Sequence, residues 1–508
     1  MFKRILKVAT LNLSALCSFC IPGARAQTLD LANLKKTGEV SERYQAYNVE
    51  MVEVTGGRFW AAYENGSREM YRYRPPVDLT NRRLINLARH LGPSLVRVSG
   101  SWANSTYLEE KGEKLTAPPA GYKQILTRTQ WRNVVAFSLA VDAPIVTSFA
   151  VSAGVRGPDG VWASNQAQRV ADLTKDSGGK IFAAEFFNEP NMPETAVGLS
   201  KNYGVANYAA DFRTFRRWAH MAVPDMKILG PGGVGEGGLL SRPPVNALAV
   251  PISTEGMMKE NPGSVDVVSY HFYGAVSERC AGMNMETAVK EDALTAAWLD
   301  GTLREYKYYA ALRDRYEPGK PMWITEAGQA ACGGSRWAST FLDSFRYLNQ
   351  LGALAQLGVK VVMHNTLAAS DYGLIDGDTL EPRPDYWAAL LWNQIMDKIV
   401  LESPRSPAAD LRLYAHCLPG GKGGVGLLAL NLGAGVQSLA IGKMARAWVM
   451  TGKPHDAQTV MINGKKPVID GNGNPGRLVG TAVRGSVPIA GRAIAFVAVP
   501  DAGNPACR

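Results

Sequence analysis

"IFAAEFFNEPNMPE", residues 181–194, begins as an apolar run and ends with an amide and a carboxyl side by side, Asn188 and Glu189, directly before Pro190. A short continuous apolar run suits a strand buried on both faces. Pro190 has no N–H to extend a ladder, so the strand must stop there and present its last side chains. Runs of the same texture recur on either side, at 47–52, 95–98, 145–149, 226–229, 265–270, 322–325 and 359–363, making eight with 181–187. Helical-length segments separate them, such as "NRRLINLARHLG", "VANYAADFRTFRRWAHM" and "ASTFLDSFRYLNQLGALAQLG", whose apolar residues return every three or four positions. Eight strand–helix units predict a closed (β/α)8 TIM barrel over residues 45–395. A doubly wound open sheet is the competing arrangement.

After residue 396 the texture changes. "LRLYAHC", "GVGLLALNL", "RAWVMTG", "TVMING" and "AIAFVAVP" are strand-length pieces divided by Gly, Pro and Asn turns. They predict a C-terminal β-sandwich over 396–508, to which residues 27–44 contribute.

Residues 1–26 read as a secretory signal peptide: Lys3, Arg4 and Lys7 precede an apolar stretch, and Ala24-Arg25-Ala26 forms a small-residue cleavage site. Asn12 and Ser14 interrupt that stretch, which argues against a membrane anchor. Of the formal net charge of +10, four positive charges belong to this leader. No Lys/Arg run like a nucleic-acid arm is present, and the moderate basic balance suits an acidic polymer or simple solubility. Cys280, Cys332, Cys417 and Cys507 remain beyond the leader, an even number that in an exported chain favours disulfides. The expected pairs are Cys280 with Cys332 and Cys417 with Cys507. No zinc spacing or His-Glu-x-x-His occurs, so neither metal nor cofactor is expected. Gly230-Pro231-Gly232-Gly233-Val234-Gly235 matches a dinucleotide fingerprint, but it is not in the first strand–helix unit and Pro243-Pro244 interrupts any following helix. A glycine-rich rim segment is the better reading.

In such a barrel the functional groups stand where strands end. Asn188 and Glu189 close the fourth strand, and "KPMWITEAGQAACGG" closes the seventh with Glu326, followed by small residues. Two acids at these strand ends face one another across the mouth. Glycoside hydrolysis needs such a pair: one carboxyl protonated to supply the leaving oxygen, the other ionised to attack the anomeric carbon, about 5–5.5 Å apart in a retaining enzyme. The sixth strand ends in Ser269-Tyr270-His271-Phe272-Tyr273, where a tyrosine can hydrogen-bond the attacking carboxylate and His271 reaches the same rim.

Asn188-Glu189-Pro190, His271-x-Tyr273 and Trp323-Ile324-Thr325-Glu326 resemble the motifs of retaining (β/α)8 glycosidases with acids on strands four and seven. "VVMHNTLAASDYGLIDGDTLEPRPDYWAALLW" with "LRLYAHC" is similar to the heparanase family, glycoside hydrolase family 79, over residues from about 45 to the C-terminus. The resemblance implies Glu189 as general acid/base, Glu326 as nucleophile, Tyr273 as the support of Glu326, and Asn188 and His271 as substrate-binding. It implies that the amides of Gly333 and Gly334 and the hydroxyl of Tyr372 hold the carboxylate of a β-linked glucuronic acid, and that Asn48, Glu50 and Ser101 touch sugar hydroxyls. The implied substrate is an acidic polysaccharide of the heparan sulfate type, cut internally by a retaining endo-β-glucuronidase. Exo-β-glucuronidase action and a noncatalytic carbohydrate-binding role are the alternatives. Arg279, Lys290 and Arg336 are candidate sulfate contacts. The chain departs from animal heparanase in carrying Asn48 near an acidic position and Cys332 in place of a third glycine. The stretch 107–130 is short where animal heparanase has an excised linker, so a single-chain enzyme is expected.

Overall fold

The computed structural model describes residues 28–63, 69–240, 252–283 and 285–508. The expected signal peptide and Pro243-Pro244 lie outside the described residues. Eight parallel strands close into a barrel: β1 Gln45–Glu50, β2 Val96–Ser99, β3 Ile145–Thr147, β4 Ile181–Glu185, β5 Lys227–Val234, β6 Val267–Tyr273, β7 Met322–Gly328 and β8 Val361–His364. Closure is made where Val362, Met363 and His364 of β8 pair with Gln45, Ala46 and Tyr47 of β1, which rules out the open sheet.

Alternation along each strand explains the apolar runs. In β1, Tyr47 and Val49 pack outward among the surrounding helices, whereas Ala46 joins Leu95, Val146, Ala183, Leu229, Val267, Trp323, Val361 and Met363 in a separate cluster filling the lumen. Asn48 and Glu50 therefore continue the lumen row toward the mouth. The helix Arg82–His90 starts at Asn81, whose side chain accepts from the amides of Arg83 and Leu84. The helix Arg128–Ala140 starts with a capping box between Thr127 and Gln130.

Several strand boundaries differ from expectation, three of them at the mouth. The first strand ends at Glu50 and the chain turns at once into the helix Met51–Thr55, because Glu53 reaches back to the Glu50 amide (2.8 Å) in a capping box. β6 and β7 run three residues further than predicted, carrying Tyr273 and Glu326 within the sheet.

The C-terminal region is an antiparallel sheet: β9 Ile399–Leu401, β10 Leu411–Cys417, β11 Val425–Asn431, β12 Gln437–Thr451, β13 Met461–Ile462, β14 Thr481–Ile489 and β15 Ala493–Val499. The strand Lys36–Glu39 pairs with β9 and so joins the same sheet. One face, with Leu428, Leu430, Phe496 and Trp448, packs onto the barrel's core. On the other, Leu413, Leu427 and Val497 share a cluster with Leu439, Ile441, Val487 and Ile489 from the far end of β12 and from β14. The register of β12 shifts between Ala440 and Met444, and such irregularity bends a strand enough to bring these residues over the sheet. Both expected disulfides are present, Cys280–Cys332 and Cys417–Cys507. Among the described residues no helix is long and apolar enough to cross a membrane.

Candidate active site

The loop after β4 is held from both sides. Asn104 brackets the backbone of Asn188, accepting from its amide and donating to its carbonyl (2.9 Å each), and Asn191 makes a reciprocal pair with the backbone of Val234 on β5. Between these clamps Glu189 adopts φ +47°, a conformation uncommon for a residue with a side chain, and its carboxyl meets His271 Nδ1 at 3.0 Å. Glu326 comes from β7, where His271 is its register partner on β6. One oxygen of Glu189, one of Glu326 and one ring nitrogen of His271 all lie within 4.8 Å of one another.

Arg97 of β2, wholly buried, ties this floor together. Its Nη1 donates to Glu326 Oε2 (2.8 Å), and its Nη2 to Glu185 Oε2 (2.9 Å) and Asn188 Oδ1 (2.8 Å), with His271 Nε2 at 3.2 Å. Glu185 Oε1 accepts from Ser269 (2.7 Å) and Thr325 (2.6 Å). Tyr273 donates to the other oxygen of Glu326 at 2.6 Å. Both oxygens of Glu326 are thus fixed, and its side chain keeps 8% exposure, against 15% for Glu189.

The charges respond to this arrangement. Burial pushes the Glu189 carboxyl up, opposed by the His271 hydrogen bond and assisted by the negative charge of Glu326. Burial alone would lower the imidazole of His271, but Glu326, together with Glu185 and Glu189, outweighs it against Arg97 and raises the ring to about 9. Burial likewise works to raise Glu185, yet Arg97 and His271 hold it well below the usual carboxylate range. The floor at neutral pH carries a guanidinium and an imidazolium among anions. Glu189, His271 and Glu326 are spaced as metal ligands could be. Their atoms, however, already answer Arg97, Tyr273 and one another, and a cation there would sit beside a guanidinium. The donor set fits a metal poorly.

His271 corrects one expectation: its side chain has no exposed surface, so it contacts Glu189 and Arg97 and not the open mouth. Asn188 is buried and reaches Arg97 and, at 3.4 Å, Ser101. On the opposite side, Asn48 and Glu50 are buried, with both side-chain polar atoms of Asn48 and Oε2 of Glu50 lacking a protein partner among the described residues. Burial, then the charge of Glu326, raises Glu50 well above its ordinary value.

Gly333 and Gly334 follow the disulfide-bonded Cys332 and both take φ +84°. A Cβ on Gly333 would stand 2.5 Å from Trp60, and one on Gly334 3.0 Å from the Tyr372 amide. The Gly334 N–H already donates to Ala330 O (3.1 Å), so of the two expected anion donors only the Gly333 amide is uncommitted among the described residues. Tyr372 is buried beside them, and its hydroxyl accepts from Asn365 at 3.1 Å. Arg279 is not available to a sulfate: its guanidinium pairs with Asp371 (2.7 Å), donates to the carbonyls of Cys332 and Gly334, and lies 3.9 Å over the Tyr63 ring. Lys290 pairs with Asp456 at 2.9 Å. Arg336 is exposed, and its guanidinium lies 4.4 Å from the centroid of the same Tyr63 ring.

The glycine-rich 230–235 segment lies largely in β5, and no helix begins there. Its Gly232 makes room for Glu185, whose oxygen would be 2.8 Å from a Cβ. Sequence reading missed Arg97, Glu185, Asn365 and Asp371. For the first two a signal existed: each is a charge inside an apolar strand, and such a charge is found only with a partner.

Residues 76–352, more than half of the chain, match the model of the glycosyl hydrolase family 79 N-terminal domain. The chain is 28% identical over 380 residues to heparanase-like protein 1 of Arabidopsis thaliana, covering 70% of this chain and 65% of that protein. It is 30% identical over 274 residues to heparanase of Bos taurus, covering 53% of this chain and 46% of that one. The chain thus spans less than two thirds of either relative. Among solved structures, a 4-O-α-L-rhamnosyl-β-D-glucuronidase from Fusarium oxysporum superposes with a TM-score of 0.64 at 13% identity, over 93% of this chain and 99% of that one, which establishes likeness of fold.

Proposed function

The chain belongs to glycosyl hydrolase family 79, and we propose that this protein is a retaining β-glucuronidase that cleaves within heparan sulfate-like chains. The observation that carries the reading is the pair Glu189 and Glu326, with oxygens within 4.8 Å, too close for the about 6.5–9.5 Å that an inverting pair leaves for water. The relatives named heparanase support the substrate class.

In the first step a Glu326 oxygen bonds to the anomeric carbon as the glycosidic C–O bond breaks, and Glu189 passes its proton to the departing oxygen. In the second, Glu189 takes a proton from water, whose oxygen bonds to the same carbon and releases the Glu326 carboxylate. The chain's own groups support each half. Tyr273 and Arg97 hold Glu326 aimed, one on each oxygen. His271, protonated at neutral pH, stabilises Glu189 once it has lost its proton. The Gly333 amide and the Tyr372 hydroxyl would receive the glucuronate carboxylate. Export, as the leader predicts, is supported by the two disulfides.

Release of 4-nitrophenol from its β-glucuronide, with retained configuration in the first-formed sugar, tests the chemistry; an inactive protein or inverted product refutes it. Size profiling of digested heparan sulfate tests internal cleavage. A second reading, removal of terminal glucuronic acid, is favoured by the commitment of Arg279 and Lys290 to ion pairs, which leaves fewer cations for a sulfated chain. Glucuronic acid as the sole product would select it.

A further inference from the structure

Asn365 follows β8, and its backbone amide donates to Ala327 O of β7 at 2.7 Å, which pins the residue across from the nucleophile's strand. Its buried side chain donates through Nδ2 to two phenol oxygens, Tyr273 Oη at 2.9 Å and Tyr372 Oη at 3.1 Å. An amide nitrogen has two hydrogens, and the two tyrosines stand within reach of both, with Glu50 as a further neighbour of the same amide. The orientation of the amide follows from the neighbouring contact. Tyr273 Oη and Glu326 Oε1 are 2.6 Å apart, a distance that requires the phenol hydrogen between them. A flipped amide would offer its oxygen to Tyr273 and draw that hydrogen away.

A phenol has a single hydrogen, so an oxygen that accepts from Asn365 must direct that hydrogen elsewhere. For Tyr273 the direction is Glu326. For Tyr372, packed against Gly334 beside the Gly333 amide, it is away from Asn365. We propose that Asn365 is a positioning residue that sets the donor direction of two tyrosines at once, giving the Tyr273 hydrogen to the nucleophile and the Tyr372 hydrogen to the substrate's carboxylate. This rests on the glucuronidase reading above. It adds that recognition of the anion and orientation of Glu326 share one amide group, so the two are coupled through Tyr372, Asn365, Tyr273 and Glu326.

The test compares kcat and KM for the 4-nitrophenyl β-glucuronide and the uncharged β-glucoside in wild type, Asn365→Asp, Tyr372→Phe and the double variant. Asn365→Asp keeps the shape but replaces the shared donor by an acceptor that draws both phenol hydrogens to itself. Its kcat on the glucuronide is expected to fall by about 100-fold, and the preference for glucuronide over glucoside by about tenfold. In the Tyr372→Phe background the loss of preference should disappear while the loss of kcat remains. Where Asn365→Asp does not fold, Asn365→Ala, which removes both donors, should lower the same two quantities. A folded Asn365→Asp or Asn365→Ala with wild-type preference and kcat overturns the inference alone. A wild type inactive on the glucuronide overturns the function and the inference with it.

Discussion

The two halves of the barrel mouth are built differently. On the side formed by β2, β4, β6 and β7, Arg97, Glu185, Glu326 and Tyr273 form a closed hydrogen-bonded set, and His271 is bonded to Glu189 beside them. On the side formed by β1 and the segment after β8, Asn48, Glu50 and Asn365 carry buried polar atoms without protein partners among the described residues. Buried polar groups are ordinarily satisfied, so an unsatisfied cluster in a mouth calls for a reason. On the proposed function the first half is preorganised for bond making and breaking, with its electrostatics settled before substrate arrives. The second half has hydrogen-bonding capacity that folding leaves uncommitted among the described residues. Changes to the first half should therefore affect chemistry and stability together, and changes to the second should separate them.

The largest effect is expected at Glu326, the proposed nucleophile. Glu326→Gln removes the charge while keeping the shape, and kcat on an aryl β-glucuronide should fall by about 10⁴-fold or more, measured against a thermal melt that shows the fold intact. Next comes Arg97→Met. It strips the shared cation from Glu185 and Glu326, and urea unfolding should show a loss of about 3–5 kcal/mol, because two buried carboxylates lose their counter-charge. An Arg97→Met protein as stable as wild type would break the claim that the floor is electrostatically closed.

The same division governs what the sequence disclosed. The eight strands and the acids at 189 and 326 were legible because they are properties of spacing along the chain: apolar runs, amphipathic intervals and a proline that ends a strand. Arg97 was hidden because its four partners come from β4, the following loop, β6 and β7. His271 was read as a sugar contact because strand-end position gives the rim but not the depth. Met51 and Val52, which open the helix Met51–Thr55, were read as strand because both are apolar and the helix start depends on one side chain, Glu53, folding back. For Gly334, the glycine was visible but its amide's bond to Ala330 was not.

On the uncommitted side, Asn48→Ala should separate binding from stability. Asn48 has no side-chain bond to lose among the described residues, so its Tm should match or exceed that of wild type. If a sugar hydroxyl is its partner, kcat/KM should fall by about tenfold, mostly through KM. A Tm drop comparable to that of Arg97→Met would erase the distinction between the halves.

The smallest effect is a slope. The imidazole of His271 titrates at about 9 in the folded chain against an ordinary 6.5, so folding favours its protonated form. The stability this contributes is fully present below pH 6.5 and is lost as pH rises through about 9. Lysines and tyrosines titrate in the upper part of the same range, so the informative quantity is the difference in Tm between wild type and His271→Asn across that window. That difference should shrink by a few degrees as the pH rises through it, because the wild type alone loses an imidazolium held between Glu185, Glu189 and Glu326. A constant difference would mean that the ring is neutral throughout, and the closed side of the mouth would then owe its order to Arg97 alone.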